Sequence, residues 1–221
     1  MVLRLRFIPL PGIATGSPLS HWFESLQNKK AKQDGKARIM HEVSLGGVIR
    51  DYLTGEARER TTYEDLRQAL ARYLVEERGY DPAVLIPRYP VHYAVGGETL
   101  TREADIAMLL GSGSPGMLLV FCAGQIHSYV REVQALARLA VPGPCPLGVV
   151  TDMREIELFA AKDRAILARG LYAFPDQATM ESLALEHSIA PLTDEQREKE
   201  SRILHAYTGF LKTCCGESCS F

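Results

Sequence analysis

Side chains with chemistry beyond packing gather at a few places in this chain of 221 residues. Arg131, Gln134 and Arg138 recur at i, i+3 and i+7 in a stretch of helical period, so one helix face carries them as a polar stripe. Solvation is the ordinary fate of such a face, and two arginines on it also have the charge to hold phosphate oxygens. Asp105 follows Arg102 and Glu103 in a stretch of extended period. With a guanidinium so near, it reads as a satisfied carboxylate near a strand end. Glu64 lies three residues after Thr61, the spacing of a capping box, and helix capping accounts for it. The tail Cys214-Cys215-Gly216-Glu217-Ser218-Cys219, with His205, offers zinc ligands, but its spacing lacks the paired C-x-x-C of common structural sites. An unstructured tail with reduced thiols is the expectation there. The six histidines are scattered without H-E-x-x-H pairing, and neither a P-loop nor G-x-S-x-G occurs.

The elements that must position these groups follow from periodicity. Thr61 caps a helix whose buried stripe is Leu66, Leu70, Tyr73 and Leu74 and whose stop is Gly79. Residues 85–95 read as a strand that Pro87 and Pro90 push toward a sheet edge. Residues 102–110 and 117–123 form the next two strands, the latter apolar on both faces as a central strand should be. From 128 to 140, Tyr129, Val133, Leu136, Ala137 and Ala140 make the apolar face of a helix that Pro142 and Pro144 end. Strands over 147–151 and 156–160 follow. Thr193 with Gln196 opens a charged helix that docks through Ile203, Leu204, Tyr207 and Leu211. The first forty or so residues, with a basic run over 29–38, show no sustained period and read as an extension.

Apolar residues at 46%, charged residues at 24% and a formal net charge of -2 are ordinary for a globular domain, and they neither declare nor exclude a nucleic-acid binder. Arg4 and Arg6 precede an apolar run that Pro9 and Pro11 interrupt, a poor signal peptide. No stretch approaches the roughly 20 apolar residues of a membrane helix. A cytoplasmic protein without membrane contact is expected, and its five cysteines, an odd number, are expected to be reduced.

Three local matches, in order, carry a family resemblance. Tyr63-Glu64-Asp65-Leu66-Arg67-Gln68, continuing to Gly79-Tyr80, looks like the opening helix of the N-terminal domain of type I restriction endonuclease R subunits, where an acidic residue precedes Arg-Gln. Arg88-Tyr89-Pro90-Val91 and then Arg102-Glu103-Ala104-Asp105-Ile106-Ala107 resemble the family's Tyr-Pro strand and its Arg-Ala-Asp-Ile. Leu118-Leu119-Val120-Phe121-Cys122-Ala123 stands where the family carries Leu-Leu-x-Glu-Cys-Lys. The likeness continues through Gln134, first residue of the family's Gln-x-x-x-Tyr motif, to Val149-Val150-Thr151-Asp152 and Glu157-Leu158-Phe159.

The resemblance implies an α/β fold with a restriction-endonuclease-like PD-(D/E)xK core, a central mixed β-sheet flanked by helices. The core would occupy residues 61–190, preceded by an N-terminal extension over 1–60 and followed by a C-terminal helix and cysteine tail over 191–221. In such nucleases an Asp and a Glu share a Mg²⁺ that activates water, and a Lys two residues after the Glu lies on the same strand face. Here Asp105 is present, but Phe121 replaces the Glu and Ala123 the Lys, so metal binding at Asp105 is expected to be weak or lost and no cofactor is expected. The implied function is a catalytically inactive nuclease fold that binds DNA or a protein partner, with Arg131, Gln134 and Arg138 as nucleic-acid contacts, although Arg138 stands where the family has Tyr. The alternative is a Mg²⁺-dependent DNA endonuclease with a migrated site, in which Asp105, Glu132 and Gln134 are catalytic and Glu132 or Glu103 supplies the second carboxylate.

Overall fold

The computed structural model describes residues 43–122, 125–152, 155–170 and 173–215, with side chains described as far as Thr208. Residues 1–42 of the expected extension, Ala123 and the tail after Cys215 therefore lie outside the described residues, whereas Cys214 and Cys215 end a helix and so are not part of an unstructured tail. A hairpin comes first, β1 Ser44–Arg50 against β2 Ala57–Thr61. Helix α1, Thr62–Glu76, follows, with the Thr61 hydroxyl accepting the Glu64 amide as predicted. Leu66, Leu70, Tyr73 and Leu74 are all buried, and Gly79 at φ 69° turns the chain so that the Tyr80 amide reaches the Leu74 carbonyl.

The remaining strands build one mixed sheet. They are β3 Leu85–Val95, β4 Glu98–Leu109, β5 Pro115–Phe121, β6 Leu147–Thr151, β7 Ile156–Ala160 and β8 Ile166–Arg169, side by side in that order. Every neighbouring pair is antiparallel except β5 and β6. A parallel pair needs a crossover, and helix α2, Val130–Leu139, supplies it. β3 is the edge strand that its prolines call for, and β5 is buried at every residue, as its two apolar faces predict.

Helix α2 and the last helix, α4 Asp194–Cys215, cover a core that includes Leu118, Val120, Val133, Leu136, Val150 and Leu204. Helices α1 and α3, the latter Gln177–Glu186, bring a further set of buried apolar groups, among them Leu70, Leu74 and Met180. Gly148 on β6 faces Phe159 across the ladder, and the ring lies over the space a side chain would fill.

Three elements escape the periodicity. The hairpin is exposed along nearly its whole length, and Gly46 and Gly47 interrupt its alternation. β8 is four residues of which none is fully buried, and α3 buries only Met180 and Ala184. None of these segments has an apolar face for a pattern to report. β4 also starts earlier than expected, because Gly96 and Gly97 form so tight a turn that Val95 pairs with Glu98. Among the described residues no helix is long and apolar enough to cross a membrane.

A Cβ at position 148 would lie 2.4 Å from the Phe159 ring, inside any permitted contact. Gly148→Ala is expected to lower the unfolding free energy by about 1–3 kcal/mol, since overpacking forces neighbours off their minima. Urea denaturation measures the loss, and adding Phe159→Leu should recover part of it.

Candidate functional site

Helix α1 turns one polar face inward. Glu64, Arg67 and Gln68, at i, i+3 and i+4, project from adjoining turns and are all buried, Glu64 with no exposed surface at all. A buried carboxylate is tolerated only when its lone pairs are met, and here they are. Glu64 Oε1 accepts from Gln68 Nε2 at 2.6 Å, and Oε2 accepts from Arg67 Nη1 at 2.5 Å and from Arg88 Nη2. Capping therefore does not account for Glu64: the cap uses only its amide, and its carboxylate is taken by Gln68, Arg67 and Arg88 instead of closing a capping box.

Arg67 carries the network to the sheet. Its Nη2 donates to Asp105 Oδ1 at 2.6 Å, and Asp105 Oδ2 accepts the Phe121 amide at 2.7 Å. Asp105 is therefore a satisfied carboxylate, but its direct partner is Arg67 on the helix, not the neighbouring Arg102. On the other side Gln68 reaches the hairpin turn: its Nε2 also donates to Asp51 Oδ2 at 3.1 Å, and its Oε1 accepts the Tyr52 amide at 2.5 Å. Asp51 Oδ1 takes the amides of Leu53 and Thr54, both at 2.9 Å. Burial by itself would raise the Asp51 carboxyl, but the hydrogen bonds from Thr54, Gln68 and Leu53 outweigh it and hold the value below the ordinary 3.8.

The Phe121 side chain is almost fully buried, with its ring centroid 6.4 Å from that of Tyr63. The two rings form a tilted aromatic pair. Arg88, which closes the network from β3, has φ 51°, a left-handed conformation unusual for a side chain of its size.

Glu132 belongs to a separate pair. Its Oε1 accepts from Arg102 Nε at 3.1 Å while the residue is 1% exposed. Burial works against the charge on Arg102, but Glu132 and then Asp105 outweigh it and raise its pKa above the usual arginine value. Burial first, and then the negative charges of Glu132 and Asp105, push the Cys122 thiol well up. The two carboxylates thus act on the same neighbours, yet each is matched by its own arginine. Glu103 is exposed on β4 and does not join them. Among the described residues no group of three or more His, Cys, Asp or Glu side chains is placed to hold a metal ion.

The stripe on α2 departs from the solvated face expected of it. Arg131 Nη1 lies 2.7 Å from Glu200 Oε2, and Arg138 Nε lies 3.3 Å from Glu200 Oε1, with Glu200 itself buried on α4. Gln134 is buried, and its Nε2 donates to the Ala161 carbonyl at 2.9 Å. The three residues share a stripe but not an environment. Packing of α4 over α2, invisible in the period of either helix, makes the difference.

Sequence reasoning found Asp105 and Glu132, placed Arg67, Gln68 and Arg88 in the family resemblance without a chemical role, and gave no part to Asp51. The Glu64, Arg67, Gln68 spacing was the available signal for the helix members. Nothing local marks Asp51 or Arg88 as their partners.

Two outcomes follow from the network. Arg67→Met removes the cation shared by two buried carboxylates and should cost about 3–5 kcal/mol at neutral pH, read by urea denaturation. Restoring apolar balance with Glu64→Leu and Asp105→Leu in the same chain should return much of it. Asp51, whose folded value is depressed, contributes stability that is full above 3.8 and is lost as pH falls through the folded value. Asp51→Asn should therefore melt lower than wild type at pH 7, with the gap closing as the pH drops below 3.8.

No curated protein and no solved structure matches the chain. A family model does: that of the type I restriction enzyme R protein N terminus, over residues 62–175. The match runs from the first residue of α1 past β8, so it takes in Glu64, Arg67, Asp105, Phe121 and the whole six-stranded sheet. It covers just over half of the chain. With this sheet and this helix-borne network inside the matched segment, the chain belongs to the family of type I restriction enzyme R protein N-terminal domains.

Proposed function

We propose that this is a catalytically inactive nuclease fold of the PD-(D/E)xK type, acting as a nucleic-acid-binding module in the cytoplasm. One observation carries the inactive reading: both carboxylate oxygens of Asp105 are taken, one by Arg67 and one by the Phe121 amide. A divalent ion needs several oxygen ligands held open to it. Here an arginine already neutralises the first carboxylate, and a buried phenylalanine stands in the position of the second. The residues present do not fit Mg²⁺.

Glu132, the second carboxylate of the migrated endonuclease, is held through Oε1 by Arg102, while its Oε2 is buried without a hydrogen-bond partner. Gln134 is bonded to the Ala161 carbonyl. The catalytic trio of that alternative is thus engaged in structural bonds. Family membership favours DNA as the partner, and Arg131 and Arg138 are the cations we assign to its phosphates; capture of a protein partner instead would show as binding that salt does not weaken in proportion.

Calorimetric titration of the purified chain with Mg²⁺ or Mn²⁺ tests the inactive reading. No saturable heat is expected. Stoichiometric binding that Asp105→Ala abolishes would overturn it.

A further inference from the structure

Helices α3 and α4 begin after residue 175, where the family match ends, so α4 is an addition to the matched domain. Its docking is narrow. From Asp194 to Lys199 every residue is exposed; Glu200, Ser201 and Leu204 are buried, and Ile203, Tyr207 and Thr208 partly so. Beneath its first turns a cavity of about 390 Å³ opens between Arg197 and Ser201 on α4, Tyr93 and Ala94 on β3, and Leu139 on α2. The helix stands off the sheet there. Leu204 is the only fully buried apolar side chain that α4 contributes among the described residues; Ile203 packs half-buried against the same core, Thr208 Oγ1 lies 3.4 Å from the Tyr93 hydroxyl, and Glu200 adds an ionic contact.

That ionic contact has an unusual composition. Arg131 and Arg138, seven residues apart on α2, both reach across to Glu200, one to each oxygen. Two guanidinium groups converging on the two oxygens of one carboxylate present the donor arrangement that a phosphate group takes. Two positive charges face one negative charge, so neutralisation is incomplete. Arg131 Nη1, Arg138 Nε and Glu200 Oε2 are close enough to attract, yet they form no aligned hydrogen bond. A doubly charged or polymeric anion would balance the pair better than Glu200 does.

Resting on the nucleic-acid reading above, we propose that α4 is a latch: Glu200 occupies the polyanion site of Arg131 and Arg138, so docking of α4 and binding of a phosphate backbone exclude each other. The anion reaches its site as α4 leaves, and its measured affinity is reduced by the fraction of chains in which the helix is docked.

The experiment uses the full chain, short duplex DNA as probe, and amide hydrogen exchange over α4. In wild type, added duplex should speed exchange from Gln196 to Thr208. Glu200→Gln should speed that exchange without DNA. It should also tighten duplex binding by about tenfold at low salt, with an equally steep or steeper salt dependence, because the two phosphate contacts no longer compete with an internal anion. Arg131→Met with Arg138→Met should remove both the gain and the effect of DNA on α4. Where duplex binds but protects α4, or leaves its exchange unchanged, the latch is overturned while the binding reading stands. Where neither wild type nor Glu200→Gln binds duplex at any salt, the nucleic-acid reading falls and the latch with it. If Glu200→Gln does not fold, the wild-type exchange measurement with and without duplex decides alone.

Discussion

A carboxylate with no exposed surface, Glu64, is the constraint around which this domain is arranged. Left alone it would cost several kcal/mol of lost hydration, so its position dictates what may stand near it. Arg67 and Gln68 come from its own helix, and Arg88 comes from the sheet edge in a backbone conformation that few residues of its size adopt. Each of these partners then needs partners of its own, which extends the order outward. Arg67 fixes Asp105 and, through it, the Phe121 amide at the end of the central strand. Gln68 fixes Asp51 and the turn of the hairpin. A chain of bonds thus runs from the first described loop to the middle of the sheet.

The same arrangement settles the local electrostatics. Glu64, Asp105 and Glu132 bring three negative charges near one sheet end, and Arg67, Arg88 and Arg102 bring three positive ones. All of the balancing positive charge is thus carried by the chain's own guanidinium groups, which stay protonated at any ordinary pH.

Much of the sheet was legible because its strands bury residues in patterns that only extended chain produces. Leu85–Val95, Leu147–Thr151 and Ile156–Ala160 begin and end where periodicity and punctuation place them, and the crossover helix follows from the apolar positions of Val133, Leu136 and Ala137. The hairpin, β8 and α3 were not legible, since each buries too little to leave a period. At the site, Asp105 could be recognised as a carboxylate needing a cation. Its true partner lies 38 residues away, and sequence proximity pointed to Arg102 instead. Glu64 was ambiguous for a different reason: three residues after a threonine is the spacing of a cap, and the same residue can face inward. Arg131 and Arg138 looked solvated because the helix that covers them supplies a charged residue, Glu200, where an apolar one would have announced the contact.

The prolines of β3 have a consequence for how this molecule meets its own copies. A sheet grows by hydrogen bonding along an open edge, and Pro87 and Pro90 deprive β3, an edge strand among the described residues, of two amide donors. Arg88 between them, at φ 51°, lies outside the extended region. At the far edge β8 is only four residues long. Neither margin is a good template for a seventh strand, so crowding at high concentration is met by a sheet whose two ends are already discouraged from fibril-like stacking.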